Sequence, residues 1–75
     1  MPVVEVSRAR ASGQRVKEAR GRAGLTQREL AERVRVGRVS IARVESGTRR
    51  PSMELGVAIS EALGVSLDEL FGGDR

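Results

Sequence analysis

The stretch Leu25–Gly47, LTQRELAERVRVGRVSIARVESG, holds two short helical patterns separated only by Arg35-Val36-Gly37. Thr26 and Glu29 occupy the positions of a capping box, in which the hydroxyl accepts from the Glu29 amide and the carboxylate reaches back to the Thr26 amide. Leu25 and Leu30 flank it as a hydrophobic staple. Leu30, Ala31 and Val34 then form one apolar face. The period breaks, resumes with Ile41 and Val44, and stops at Ser46-Gly47, a suitable helix end. A break this short sets the two helices at a steep angle.

The outer face of the second helix carries Arg38, Val39, Ala42 and Arg43, with no acid before Glu45. Cations mixed with small apolar groups suit a polyanion that presents base edges and methyl groups. Arg38 and Arg43 can each donate two bonds to guanine O6 and N7, and Val39 can touch a thymine methyl. The plainer reading of Val39 is a stray surface valine. Ser40 and Ala42 are secondary candidates for base contact.

Charge is divided along the chain. Before Pro51 there are 13 Lys/Arg and 5 Asp/Glu, or +8; from Pro51 onward there are one Arg and 5 acids, or −4. A basic front and acidic back imply an anion bound by the first half, against the alternative of a solvated basic surface. With 75 residues the chain makes one small domain. It has no Trp, no Tyr and one Phe, so Leu, Ile, Val and Ala must build the core. The absence of Cys and His removes disulfides, thiol chemistry, the commonest metal ligands and most nucleophile–base pairs. No metal, no cofactor and no enzymatic activity are expected; Glu18, Glu29, Glu32 and Glu45 read as helix-surface or capping acids. No apolar run approaches the roughly 18 residues that span a membrane, and a cytoplasmic location is expected.

Taken in order, residues 1–11 show no helical period, and Pro2 with the valines favours extended chain. They are read as a flexible N-terminal arm, either a frayed terminus or a segment lying along DNA or a partner. The domain proper is expected over residues 12–71. Ser12 caps a first helix to about Ala23, with Val16, Ala19 and Ala23 inward. Ser52 caps a fourth helix over residues 53–63, where Gly56 in mid-helix costs about 1 kcal/mol relative to Ala and implies a close helix–helix approach. Ser66 and Glu69 repeat the capping box before a short fifth helix, and residues 72–75 form a tail.

Gly24-Leu25-Thr26-Gln27-Arg28-Glu29-Leu30-Ala31, Ile41, Arg43-Val44-Glu45-Ser46-Gly47, Pro51-Ser52 and the run from Ala62 to Leu70 stand at fixed spacing. As an ordered set they resemble the lambda-repressor-like, Cro-type helix-turn-helix domains of the xenobiotic-response-element family, over about residues 12–71. The resemblance implies an all-α, compact five-helix domain with the helix-turn-helix at helices two and three. It implies a phosphate contact at Gln27, where a helix N-terminus also offers free amides. Thr48 and Arg49 after the third helix, and Arg15 or Lys17 from the first, are further phosphate candidates; a solvated surface charge is the alternative for each cation. Arg20 and Glu45 match a pair that forms a partly buried salt bridge in some relatives, although two unrelated surface charges would read the same. Arg35 stands where the family usually has Gly, Gly37 where it has Ser or Thr, and Gly56 and Ser60 where larger or more apolar residues are common. These departures bear on turn geometry and local stability.

The function implied is a sequence-specific double-stranded DNA-binding transcriptional regulator, a repressor by resemblance. It is expected to act as a homodimer on a near-palindromic operator, since one reading helix covers few base pairs. Val65, Leu67 and Phe71 are candidates for the dimer surface. The rival is an antitoxin or adaptor whose main partner is a protein.

Overall fold

The computed structural model describes the backbone of residues 3–72 and the side chains of residues 8–72. Among them are five helices and no strand: α1 (Val3–Arg22), α2 (Gln27–Val34), α3 (Arg38–Ser46), α4 (Met53–Leu63) and the wide-wound turn α5 (Asp68–Gly72). Of the expected tail, all but Gly72 lies outside the described residues.

The local devices form as physical chemistry dictates. The Glu29 amide donates to the Thr26 hydroxyl at 3.0 Å, and the Thr26 amide donates to the Glu29 carboxylate at 2.9 Å. The Ser52 hydroxyl caps α4 through the Leu55 amide, and the Ser66 hydroxyl accepts from the Glu69 amide at the start of α5. Arg35 ends α2 with φ 62° and ψ 45°, a left-handed conformation carried by a residue with a side chain. Its amide and that of Val36 return to the carbonyls of Glu32 and Ala31, closing the turn before Gly37 opens α3 in extended geometry.

One boundary differs from expectation. Residues Val3–Ala11, read as an extended arm, are the first half of α1, and Ser12 lies within the helix rather than capping it. The valines lower helix propensity by only a fraction of a kcal/mol each, and no proline follows Pro2 until Pro51. Ala23 falls in the turn after α1 and is exposed, so it contributes no core surface.

The core is built from Val16 and Ala19 of α1, Leu30 and Ala31 of α2, Ile41 and Val44 of α3, Leu55, Ile59 and Leu63 of α4, and Leu70 of α5. Leu25, Val34, Val36, Ala62, Val65 and Phe71 pack around it. A close backbone approach lies at Gly13, where α1 crosses the end of α3. A Cβ there would overlap the carbonyl oxygens of Val44 and Glu45. The approach expected at Gly56 is looser: it is covered by Leu67 and Phe71, and an added methyl would sit 3.4 Å from Leu67 Cδ1.

Candidate nucleic-acid interface

With Ile41, Val44 and Glu45 buried, the opposite side of α3 faces outward. Arg38 and Arg43 are exposed, Val39 is 51% exposed, and Ser40 and Ala42 are half-buried on the flanks. The five residues expected to read bases thus lie on one solvent-facing surface. No hydrogen bond or ion pair holds the Arg43 guanidinium among the described residues, so it can address a ligand without first breaking a contact.

Glu45 would oppose a polyanion if it were bare. Instead it is held from three directions. Arg20 Nε donates to Oε2 at 2.6 Å, Arg20 Nη2 donates to Oε1 at 3.1 Å, and Gln27 Nε2 donates to Oε1 at 3.0 Å. Arg20 also donates to the Leu25 carbonyl at 2.8 Å, which ties the same guanidinium to the entry of α2. The hydrogen bond to Glu45, aided by its charge, raises the Arg20 pKa further above its ordinary value despite partial burial. Gln27 then accepts from Arg38 Nη1 at 3.1 Å. A continuous path therefore runs from α1 through Glu45 and the first residue of α2 to the first residue of α3. It orients Gln27 and Arg38 before any ligand arrives.

The remaining expected contact residues divide. Lys17 of α1 lines an open depression with Gln27, Ala42, Glu45 and Ser46. Arg49 folds back along α3 and donates to the Ser40 hydroxyl at 3.0 Å. The Thr48 hydroxyl bonds to Ser46 Oγ at 2.9 Å and donates to the Arg43 carbonyl at 3.3 Å, so it finishes the end of α3. Arg15 is the exception: its Nε donates to the Leu70 carbonyl at 3.0 Å, which turns it toward α5 and away from the α2–α3 surface. Three residues not expected from the sequence to make contacts share the depression, Arg10, Gln14 and Ser46. Arg10 was hidden because its segment showed no helical period.

The proposed dimer residues are half-buried within their own chain. Leu67 and Phe71 line an open cavity of about 300 Å³ with Val44, Met53 and Gly56, and Val65 packs against the core. No helix among the described residues is long and apolar enough to cross a membrane.

A family model described as helix-turn-helix matches residues 16–70. The chain is similar to the HTH-type transcriptional regulator ImmR of Bacillus subtilis, 39% identical over 63 residues, which is 84% of this chain and 50% of ImmR. It is 38% identical over 62 residues to the HTH-type transcriptional activator BcrR of Enterococcus faecalis, covering 83% of this chain and 30% of BcrR. The chain thus spans half or less of the length of these two relatives. Among solved structures it resembles the restriction-modification controller protein C.AhdI of Aeromonas hydrophila, with TM-score 0.82 and 32% identity over 87% of this chain and 98% of that one. It also resembles the clp gene regulator ClgR of Corynebacterium glutamicum, with TM-score 0.78 and 30% identity over 99% of this chain and 91% of that one. These relatives are named as regulators, and α2 and α3 lie within the region that the helix-turn-helix family model matches. The chain belongs to the helix-turn-helix family of DNA-binding transcriptional regulators, of the xenobiotic-response-element, lambda-repressor-like type.

Proposed function

We propose that this chain is a dimeric repressor that recognises a near-palindromic operator by laying α3 in the major groove. The observation that carries the reading is the outward surface of α3: Arg38, Val39, Ala42 and Arg43 lie exposed or half-exposed while the neighbouring acid, Glu45, is neutralised by Arg20. Arg43 reads a guanine, Arg38 reads another from the start of the helix, and Val39 meets a thymine methyl. Ser40 and Ala42 border the same bases. Gln27 and the free amides at the start of α2 hold a phosphate, with Lys17 beside them and Thr48 and Arg49 on the far flank. Arg15 is left out of this set because it holds α5.

Two-fold pairing supplies the second half-site that specificity requires. Val65, Leu67 and Phe71 remain the proposed contact, at the α4–α5 end of the molecule. Repression follows from a small domain that occludes DNA; because BcrR is named an activator, the sign of control is tested separately with a promoter reporter. The direct experiment is selection of binding sites from random duplex DNA, followed by footprinting of the purified chain. An enriched sequence with two-fold symmetry supports the proposal. Recovery of no preferred sequence, with a protein co-purifying from cells, moves the antitoxin or adaptor reading to first place.

A further inference from the structure

Four of the cations of α1 fall on two faces. Arg8 and Arg15 are seven residues apart, and both turn toward the α4–α5 side: Arg8 lines the cavity with Leu67 and Phe71, and Arg15 bonds the Leu70 carbonyl. Arg10 and Lys17, also seven apart, share the other face with Gln14 between them. These three line the depression formed with Gln27, Ala42, Glu45 and Ser46. Glu18 accepts from Gln14 at 3.5 Å but does not line that depression.

The position of Arg10 is set by backbone packing. Gly13 presses on the carbonyls of Val44 and Glu45. Gly47 stands so close to α1 that a Cβ would come within 2.9 Å of the Arg10 backbone nitrogen and Cα. The crossing therefore holds Arg10 at the end of α3, on a helix rather than a loose arm, with its exposed side chain on the α2–α3 side.

We propose that α1 bears a phosphate-binding edge, with Arg10 and Lys17 as its cations, that grips the DNA backbone alongside the groove entered by α3. The proposal rests on the DNA-binding reading above and adds to Lys17 a contact from Arg10, which precedes the matched family region. Its ligand is the phosphodiester backbone of duplex DNA, so the contact carries affinity and register but no sequence preference.

The test compares Arg10→Gln with Arg8→Gln across a salt series on a selected duplex and a scrambled one. The two substitutions remove the same charge from opposite faces of one helix, and circular dichroism checks that each variant keeps its helices. Loss of one phosphate contact lowers the slope of log affinity against log salt by about 0.9 per subunit. Raising salt from about 50 to 200 mM should then weaken Arg10→Gln by roughly 3.5-fold less than wild type for each subunit. The effect should be alike on both duplexes, Arg10→Lys should restore most of the slope, and Arg8→Gln should behave as wild type. Equal losses for Arg8→Gln and Arg10→Gln would overturn the proposal in favour of net charge alone, and an unchanged slope for Arg10→Gln would overturn it outright. If wild-type protein binds neither duplex, the DNA-binding reading fails; if wild type binds and only the Arg10 slope is unmoved, the α1 edge alone fails.

Discussion

Arg20 and Glu45 meet end to side across the junction of α1 and α3, Nε to Oε2 at 2.6 Å, with only 15% and 4% of their side chains exposed. The pair pins α3 to its scaffold and neutralises the acid beside the exposed face of α3. It also begins the path through Gln27 to Arg38. Because both partners are largely shielded, the interaction should exceed that of surface ion pairs, which couple by about 0.2–1 kcal/mol. A double-mutant cycle on Arg20→Ala and Glu45→Ala, measured by urea unfolding, should give a coupling above about 1 kcal/mol. Coupling near zero would show that the two charges are independently solvated.

Two glycines should respond to alanine with opposite signs. At Gly56 the added methyl finds 3.4 Å of clearance to the end of a flexible leucine, in a helix that gains from losing glycine. Gly56→Ala should stabilise by about 0.5–1 kcal/mol. At Gly13 the methyl meets fixed backbone carbonyls, and Gly13→Ala should destabilise by roughly 1–3 kcal/mol, as overpacking does. Thermal melts of the two variants decide the matter, and a stabilised Gly13→Ala would mean that α1 and α3 are not in this contact.

That contrast shows what was legible in the sequence. Short-range chemistry was readable: the Thr26–Glu29 box, the Ser52 cap, and the Leu30–Ala31 and Ile41–Val44 faces each depend on residues a few positions apart. Long-range contact was not. Gly13 and Gly56 look alike in sequence, and only the packed helices reveal which one another backbone crosses. The first half of α1 was missed for a related reason: Arg8 and Arg10 lie on different sides of the helix, so no single polar face announces it. Arg15 carried the same charge signal as Lys17, and only the position of the Leu70 carbonyl separates them. Gln27 and Arg38 each stood out in the sequence, but their direct bond did not.

Arg35 holds a conformation that an L side chain adopts at a cost. Arg35→Gly relieves that cost, partly offset by the greater freedom of glycine in the unfolded chain. The expected net gain is up to about 1 kcal/mol, or a rise of a few degrees in Tm for a domain of this size. Specificity for DNA should not change, and a clear fall in Tm would contradict the relief of strain.

The capping box makes stability depend on pH. The Thr26 amide, and after it the Thr26 hydroxyl, hold the Glu29 carboxyl below its ordinary pKa, with Arg33 adding a smaller effect. A carboxyl whose pKa is lower folded than unfolded stabilises the fold above the unfolded value and loses that contribution as pH falls through the folded one. Glu29→Gln keeps an acceptor but not the charge. Its Tm should lie below wild type at neutral pH, and the gap should close on acidification through and below the carboxylate range. A gap that persists unchanged into acid would assign the effect to side-chain shape rather than charge.

The central claim is that α3 reads bases while its flanks hold phosphates, and Arg43 set against Arg49 tests it most directly. The measurement is the affinity of Arg43→Ala and Arg49→Ala for a selected site and a scrambled site across a salt series. Arg43→Ala should cost about 1–3 kcal/mol per half-site on the selected DNA, with little change on the scrambled DNA beyond the loss of one charge. Arg49→Ala should weaken both DNAs alike and lower the salt slope by about one unit per contact. Equal weakening of both DNAs by Arg43→Ala, or no effect of either substitution on any DNA, would contradict the account.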